Sequence, residues 1–505
     1  MIRLRLCKLL FCRPKSVGLL ACLLAGLGGG LPSEAKPPQL TITEEETPEG
    51  NLTIYNMTVT PAAEPVPALK HRLLVMPHET KPGNFVTYYL RSMGENTHKG
   101  YLDLLDELFG EDENEPWDTS LQESDMDKLK RFADSFQTFI NDHMARATLS
   151  RDLDWGVEEE DLRGLETFTF LLPSVQGTRS ISRMLALSAR YAIAEGRYED
   201  AIEILKMNLK LARSVAEMKF LVADLVAVAE VRIGNKMLAE LIAGKDSPNL
   251  YWALAEIPSP CIEIRDSMRL EMSQALRMFP ALEDAETAER SKEQWNAVYG
   301  EIFKSISQSF GYLGVQYSPV APSSLGVGLG LIGYSAAKDR LVEGGMSRDV
   351  VEEMAVGQVM LIDARRQILI VTNECEKSLY VPFQDSRSFE DELDKSLRAA
   401  GFSNPGLGLA GMLLPAFDSV RIAALSSEAE IRGLQTVEAV RMHLAETGEL
   451  PKTINDIKIV PVPLNPFTGQ KFVYWLDGDT AVIDLPRSRS GGTYRPMRIK
   501  IQVAK

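Results

Sequence analysis

The sequence predicts a mainly α protein: a multi-helix domain followed by a small C-terminal α+β module of one helix and an antiparallel hairpin. Three observations predict it. Apolar residues recur at three-to-four spacing in one segment after another, as at Met126, Leu129, Phe132, Phe136, Phe139 and Ile140. Near the C-terminus, residues 472–476 and 481–483 read as short strands around Asp477-Gly478-Asp479, a hairpin turn of the Asp-Gly kind. The 505 residues, 45% hydrophobic and 25% charged, have the size and composition of a globular protein with a large core. The expected divisions are a leader at 1–35, an extended and linker segment at 36–67, an α-helical domain at 68–410 and the α+β module at 411–505.

Residues 1–35 have the layout of a secretory signal peptide. A basic region ends at Lys15, an apolar run covers 17–27, and Ser33-Glu34-Ala35 is a small-x-small cleavage site. The run is short for a bilayer span. Loss of the leader after Ala35 is expected, with retention as a membrane anchor and lipidation at Cys22 as alternatives. The expected location is the periplasm or cell envelope. The formal charge is −15, and the leader holds five basic residues against Glu34, so the remainder is more acidic still. That argues against nucleic acid as a partner, because phosphate binding needs clustered Lys and Arg. Cys261 and Cys375 follow the leader and read either as a disulfide or as two buried free thiols.

In the extended segment, Leu52-Thr53-Ile54-Tyr55 and Met57-Thr58-Val59 read as strands and residues 61–67 as a linker. The acidic run Glu111-Asp112-Glu113-Asn114-Glu115 lacks the alternating ligands and glycine of a calcium loop and reads as a solvated loop. Ser124 is placed to cap the helix that begins near Met126. Trp155 reads as an anchor between helices. Leu221–Ile242 is apolar, but Asp224, Glu230, Arg232, Lys236 and Glu240 interrupt it, which makes it a core helix and not a membrane span. Ser247-Pro248 reads as the cap and first-turn proline of a helix through Trp252.

In the C-terminal module, Leu434, Val437, Val440, Met442 and Leu444 form one buried helix face. Gly448 fits the left-handed position past the helix end, and Pro451 bars continuation. Asn465-Pro466 and Thr468-Gly469 are turn pairs flanking Phe467. Tyr474 is expected to point inward with Phe472 and Leu476, and Phe467 to pack on the helix near Val440 and Leu444.

Three resemblances follow from these residues. Gly196-Arg197-Tyr198-Glu199-Asp200-Ala201 resembles the turn of a tetratricopeptide repeat, in which Gly196 and Ala201 let two helices approach; no second copy occurs about 34 residues away. The helix, Gly448, Pro451, Pro466-Phe467-Thr468-Gly469 and Tyr474 resemble the soluble end of type II secretion major pseudopilins. The chain lacks a prepilin-type stem before that helix, and the tail after Ile483 lacks the acidic loop that resembles a calcium site there. The same module, Ser247-Pro248-Asn249-Leu250-Tyr251-Trp252, Ile257-Pro258-Ser259-Pro260 and matches across 334–383 resemble uncharacterised exported families of planctomycete-type bacteria, in which Asn465 is usually Asp. The resemblance implies fold and export and brings no activity.

Chemical motifs lose to structural readings. Gly328-Leu329-Gly330-Leu331-Ile332-Gly333 and Gly406-Leu407-Gly408-Leu409-Ala410-Gly411 match the dinucleotide fingerprint in letters, but neither follows a strand, so they read as structural glycines between helices. Ser335-Ala336-Ala337-Lys338 matches an acyl-transfer pair without its companion motifs. The five histidines have no ligand spacing. No catalytic, cofactor-binding or metal-ligating residue is assigned, and no cofactor is expected. The expected function is an exported, non-catalytic binding or assembly protein with a protein partner in the envelope. The alternatives are a hydrolase with carboxylates drawn from distant residues and a component of a pilin-like or secretion apparatus. A pocket of convergent, shifted carboxylates favours the hydrolase; an apolar surface favours binding.

Overall fold

The computed structural model describes residues 38–47, 50–92, 94–110, 119–156, 175–277, 279–312, 322–386, 395, 417–485 and 496–504. The expected leader at 1–35, the acidic run after Gly110 and the glycine motif at 406–411 lie outside them. Among the described residues the fold is mainly α, with fifteen α-helices, a five-stranded mixed sheet and a two-stranded one.

The chain enters as β1 (Leu40–Thr47) and β2 (Gly50–Val59), an antiparallel pair. A short β3 (Lys81–Asn84) pairs in parallel with β4 (Ser150–Asp152). Between them lie α1 (Phe85–Ser92), α2 (Glu95–Phe109), α3 (Met126–Thr138), a π-helical turn Phe139–Met144 and α4 (Ala145–Thr148). The apolar spacing of α3 is realised: Leu129, Phe132, Phe136, Phe139 and Ile140 are buried. The cap is Asp125 instead of Ser124. Its carboxylate accepts from the amides of Asp127 and Lys128, while the Ser124 hydroxyl donates to the Ser120 carbonyl. A carboxylate one residue nearer the first turn suits the helix dipole better. Trp155 is an anchor: its indole donates to the Ser214 carbonyl at 2.7 Å and sits against Phe85 and Tyr89.

Then α5 (Val175–Ala194) and α6 (Tyr198–Ala216) form a helical hairpin on which α7 (Leu221–Ile242) packs. Gly196 turns between α5 and α6 with φ +72, and Ala201 is fully buried. The Tyr198 hydroxyl donates to the Lys245 carbonyl at 2.6 Å. No helix among the described residues is long and apolar enough to cross a membrane. The next helix, α8 (Tyr251–Ala255), starts later than the Ser-Pro pair implies. Ser247 and Pro248 precede it, because Ser247 is held by Arg441 and the Asn249 side chain accepts from the Tyr251 amide.

Helices α9 (Arg265–Arg277), α10 (Pro280–Glu283), α11 (Lys292–Tyr312), α12 (Pro322–Glu343), α13 (Arg348–Glu353) and α14 (Val356–Ser378) follow. α11, α12 and α14 pack together. The motif Gly328 to Gly333 lies inside α12, not between helices. Helical backbone there has no free amides to cradle a phosphate. Lys338, the amine of the acyl-transfer pattern, is bound by Glu352 at 2.8 Å and lies over the Tyr334 ring. Cys261 and Cys375 are buried and form no disulfide.

The last helix, α15 (Phe417–Thr447), is the hub. Its expected apolar face is buried at Leu434, Val437, Val440, Met442 and Leu444, yet so are Glu430, Glu438 and Arg441. Each of these reaches another segment. Glu430 accepts from Arg232 and Asn235 of α7. Glu438 accepts from Arg441, Asn249 and the Leu250 amide. Arg441 donates to the carbonyls of Thr60 and Ser247. Gly448 ends the helix with φ +76, as its position predicts.

After it come β5 (Val473–Asp477), β6 (Thr480–Leu485) and β7 (Met497–Val503). Residues 454–457 form a turn closed by Asp456, whose carboxylate accepts from the Thr453 amide. The sheet is larger than the expected hairpin. Its order is β1-β2-β7-β6-β5, with β2 and β7 parallel, so strands from both ends of the chain share it. Such a parallel pair is a contact across almost the whole sequence, which local patterning does not carry. α15 lies on one face, where a Cβ on Gly433 would stand 3.4 Å from Ile499 and Leu485. Residues 36–505 form one compact unit.

Candidate functional site

The site is assembled on the C-terminal sheet. Val473-Tyr474-Trp475-Leu476-Asp477 is a β-branched and aromatic run, and Gly478 supplies the positive φ (+60) that a two-residue hairpin turn requires. Asp477 therefore pairs with Thr480, and the register carries Tyr474 opposite Ile483 and Trp475 opposite Val482. Alternation sends Tyr474 and Leu476 to the face that carries α15, and Val473, Trp475 and Asp477 to the other. Tyr474 is thus the inward aromatic, half-buried, and its hydroxyl donates to the Pro451 carbonyl at 2.7 Å.

The turn before β5 is built as its residues predict. The Asn465 side chain accepts from the Phe467 amide, and the amide of Gly469 (φ +64) bonds the Asn465 carbonyl. Pro466 leads Phe467 into that turn. Phe467 is buried, and its ring meets Phe383 edge-on at 5.4 Å, so the segment after α14 supplies an aromatic contact to this turn. Trp252, named by its likeness to the exported families, donates its indole proton to Glu64 at 2.5 Å.

The two edges of the sheet differ in kind. On β1 the edge carries Glu44, Glu45 and Glu46, all exposed. Charge at an edge discourages further strands from pairing. On β5 the edge carries Val473, 54% exposed, Trp475, 36%, and Leu476, 37%; Leu464, bridged to Lys471 just before β5, is 54% exposed. No described strand pairs with β5 on the side away from β6. Arg498 lies over the Trp475 ring at 5.5 Å and donates to Asp484 at 3.0 Å, which holds the indole in place at the edge.

The face opposite α15 carries a polar cleft of about 400 Å³ lined by Asn56, Thr58, Asp477, Thr480, Lys500 and Gln502. Its one carboxylate, Asp477, stands alone in that lining. The carboxyls with raised pKa lie elsewhere. Asp224 and Glu230 on α7 are pushed up to about 8, and Glu271, Glu428 and Glu438 are also raised, in every case chiefly by burial. Asp224, Glu230 and Glu438 are buried, and none of them lines that cleft. Among the described residues, no group of three His, Cys, Asp or Glu side chains is placed to hold a metal ion.

The edge was missed by sequence reasoning, because the strand order alone shows that β1, with its three glutamates, and β5 are the outermost strands. Comparison with family models, with characterised proteins and with solved structures yields no match.

Proposed function

We propose that this is an exported, non-catalytic binding or assembly protein of the cell envelope, and that β5 is where it binds. The single observation behind this reading is the unguarded apolar edge of β5 beside the glutamate-guarded edge of β1. An extended segment can add to such an edge through main-chain hydrogen bonds, with alternate side chains giving selectivity. The hairpin of α5 and α6 is tetratricopeptide-like in its use of Gly196, Tyr198 and Ala201, and serves as a spacer in the helical body. The likeness to exported planctomycete-type families supports loss of the leader after Ala35. A component of a pilin-like apparatus is the second reading, favoured by the seating of α15 on β6 and β7 at Gly433 and by the Pro466-Phe467-Thr468-Gly469 turn.

The test is recovery of the tagged protein from fractionated cells, beside its Trp475→Lys variant. The expected result is an envelope-associated protein whose N-terminus is Lys36 and whose partner is lost from the variant. Recovery with the cytosol, or the same partners from both proteins, sinks the reading.

A further inference from the structure

We infer that the polar cleft on the sheet face opposite α15 binds an uncharged saccharide. This is a second site, separate from the β5 edge: it lies on the face of the central strands and not along a border of the sheet. Its floor is two rows of side chains set by the strand register. Asn56 stands between Thr41 and Lys500, and Thr58 stands beside Gln502. Buried Met57 and Ile501 alternate with them, so the polar residues share the outer face. One wall comes from elsewhere in the chain. Gln122, ahead of α3, lines the cleft and donates its amide to the Pro38 carbonyl, while the Ser120 hydroxyl donates to that of Leu40. Asn56, Thr58, Thr480 and Lys500 are half-buried in the hollow that results.

The lining selects the ligand by exclusion and by match. β2 is paired on both sides, by β1 and β7, and β7 by β2 and β6, so their main-chain groups are committed and no peptide strand can add there. A phosphate needs clustered positive charge, and Lys500 is the one cation of the lining. An apolar ligand finds amides and hydroxyls where it needs hydrocarbon. A sugar hydroxyl both donates and accepts, and so do the side-chain amides of Asn56, Gln122 and Gln502 and the hydroxyls of Thr58 and Thr480. These groups are weakly engaged within the protein. The Asn56 amide reaches the Thr41 carbonyl at 3.5 Å and the Thr43 hydroxyl at 3.4 Å, and Gln502 reaches the Thr480 hydroxyl at 3.4 Å. Each lies beyond the ordinary N–H···O range of about 2.7–3.2 Å. Among the described residues neither Asp477 nor Lys500 forms an ion pair, which leaves a strong acceptor and a strong donor open. The volume of about 400 Å³ falls within the range of about 300–1,000 Å³ that small-molecule sites occupy. Trp475, two residues from Asp477 on the same face and 36% exposed, adds an apolar surface for the C–H side of a sugar ring.

The experiment uses the purified chain from residue 36 to 505, which forms one compact unit. It is passed over an immobilised panel of neutral oligosaccharides, and the strongest hit is titrated as the free sugar by calorimetry. Inorganic phosphate and glycine, a zwitterion that Asp477 and Lys500 alone could hold, are titrated beside it. Saturable binding of a neutral sugar, with none of phosphate or glycine, is the expected result. Gln502→Ala and Asn56→Ala are each expected to weaken it about tenfold, the effect of losing one or two side-chain hydrogen bonds. Glu45→Ala, outside the lining, is expected to leave it unchanged. Gln502 is exposed, so its truncation spares the fold, and circular dichroism with melting checks all three variants. A chain that binds no neutral sugar overturns the inference. So does sugar binding that both cleft variants retain in full, or saturable binding of phosphate or glycine that they abolish.

Discussion

Glu230 and Asp224 are carboxylic acids inside the helix core, where the Thr178 and Ser267 hydroxyls stand near them and burial outweighs what those hydroxyls offer. The Thr178 hydroxyl near Glu230 gives its proton to the Val175 carbonyl instead. Burial therefore keeps both acids protonated, with pKa values raised from 4.5 and 3.8 to about 8. The sign of the linkage follows. Across pH 4 to 8 the unfolded chain has released these protons and the folded chain still holds them, so stability falls as pH rises. The loss begins near the unfolded pKa values and is complete above the folded ones. Each acid contributes a slope of about 1.4 kcal/mol per pH unit in that window. Glu428 and Glu438, also raised by burial, act in the same sense. Glu230→Gln is expected to remove one acid's slope, so that its melting temperature gains on the parent's between pH 5 and pH 8. Parallel melting curves at both pH values would contradict the assignment.

At the scale of the element, the C-terminal turn and hairpin depend on Phe467. Its ring is buried against Phe383, and Asn465 fixes the backbone beside it. Phe467→Ala is expected to cost about 3–5 kcal/mol, the usual range for emptying an aromatic site. Gly469 is a separate constraint: φ is +64, and an added Cβ would lie 3.0 Å from the Gln384 amide. Limited proteolysis reads the consequence. New cleavage after Gly448 in Phe467→Ala, with α5 to α7 still protected, is the expected pattern. A digestion pattern identical to the parent's would mean that Phe467 does not anchor this turn.

At the scale of the whole molecule, the two ends of the chain are one structure. β2 runs parallel to β7 from Thr53 to Val59, and just beyond it the Thr60 carbonyl receives Arg441 from the middle of α15. Removing residues 36–60 exposes the Ile499 and Ile501 strand and leaves the fully buried Arg441 short of an acceptor. A buried charge that loses a partner costs about 3–5 kcal/mol. The shortened chain is expected to unfold at distinctly lower urea, with the transition of the helices shifted along with that of the sheet. An unchanged midpoint would show that the N-terminal strands are an accessory to the sheet.

The sequence by itself determined what periodicity and turn chemistry encode. It gave the helical class, the buried face of α3, the end of α15 at Gly448, the Asp477–Thr480 hairpin and the inward Tyr474. Each of these is decided within about a dozen residues, by apolar spacing or by a glycine that alone takes positive φ cheaply. Only the tertiary structure decided the rest. The polar residues of α15 look like a solvent face until Thr60, Arg232, Asn235 and Asn249 come to meet them. Phe467 meets Phe383, from a segment more than eighty residues earlier, and β2 found β7. The guarded and unguarded edges exist only once the strand order is known. Such pairings join positions separated by tens to hundreds of residues, and their energy lies in desolvation and complementarity between surfaces, which no local pattern records.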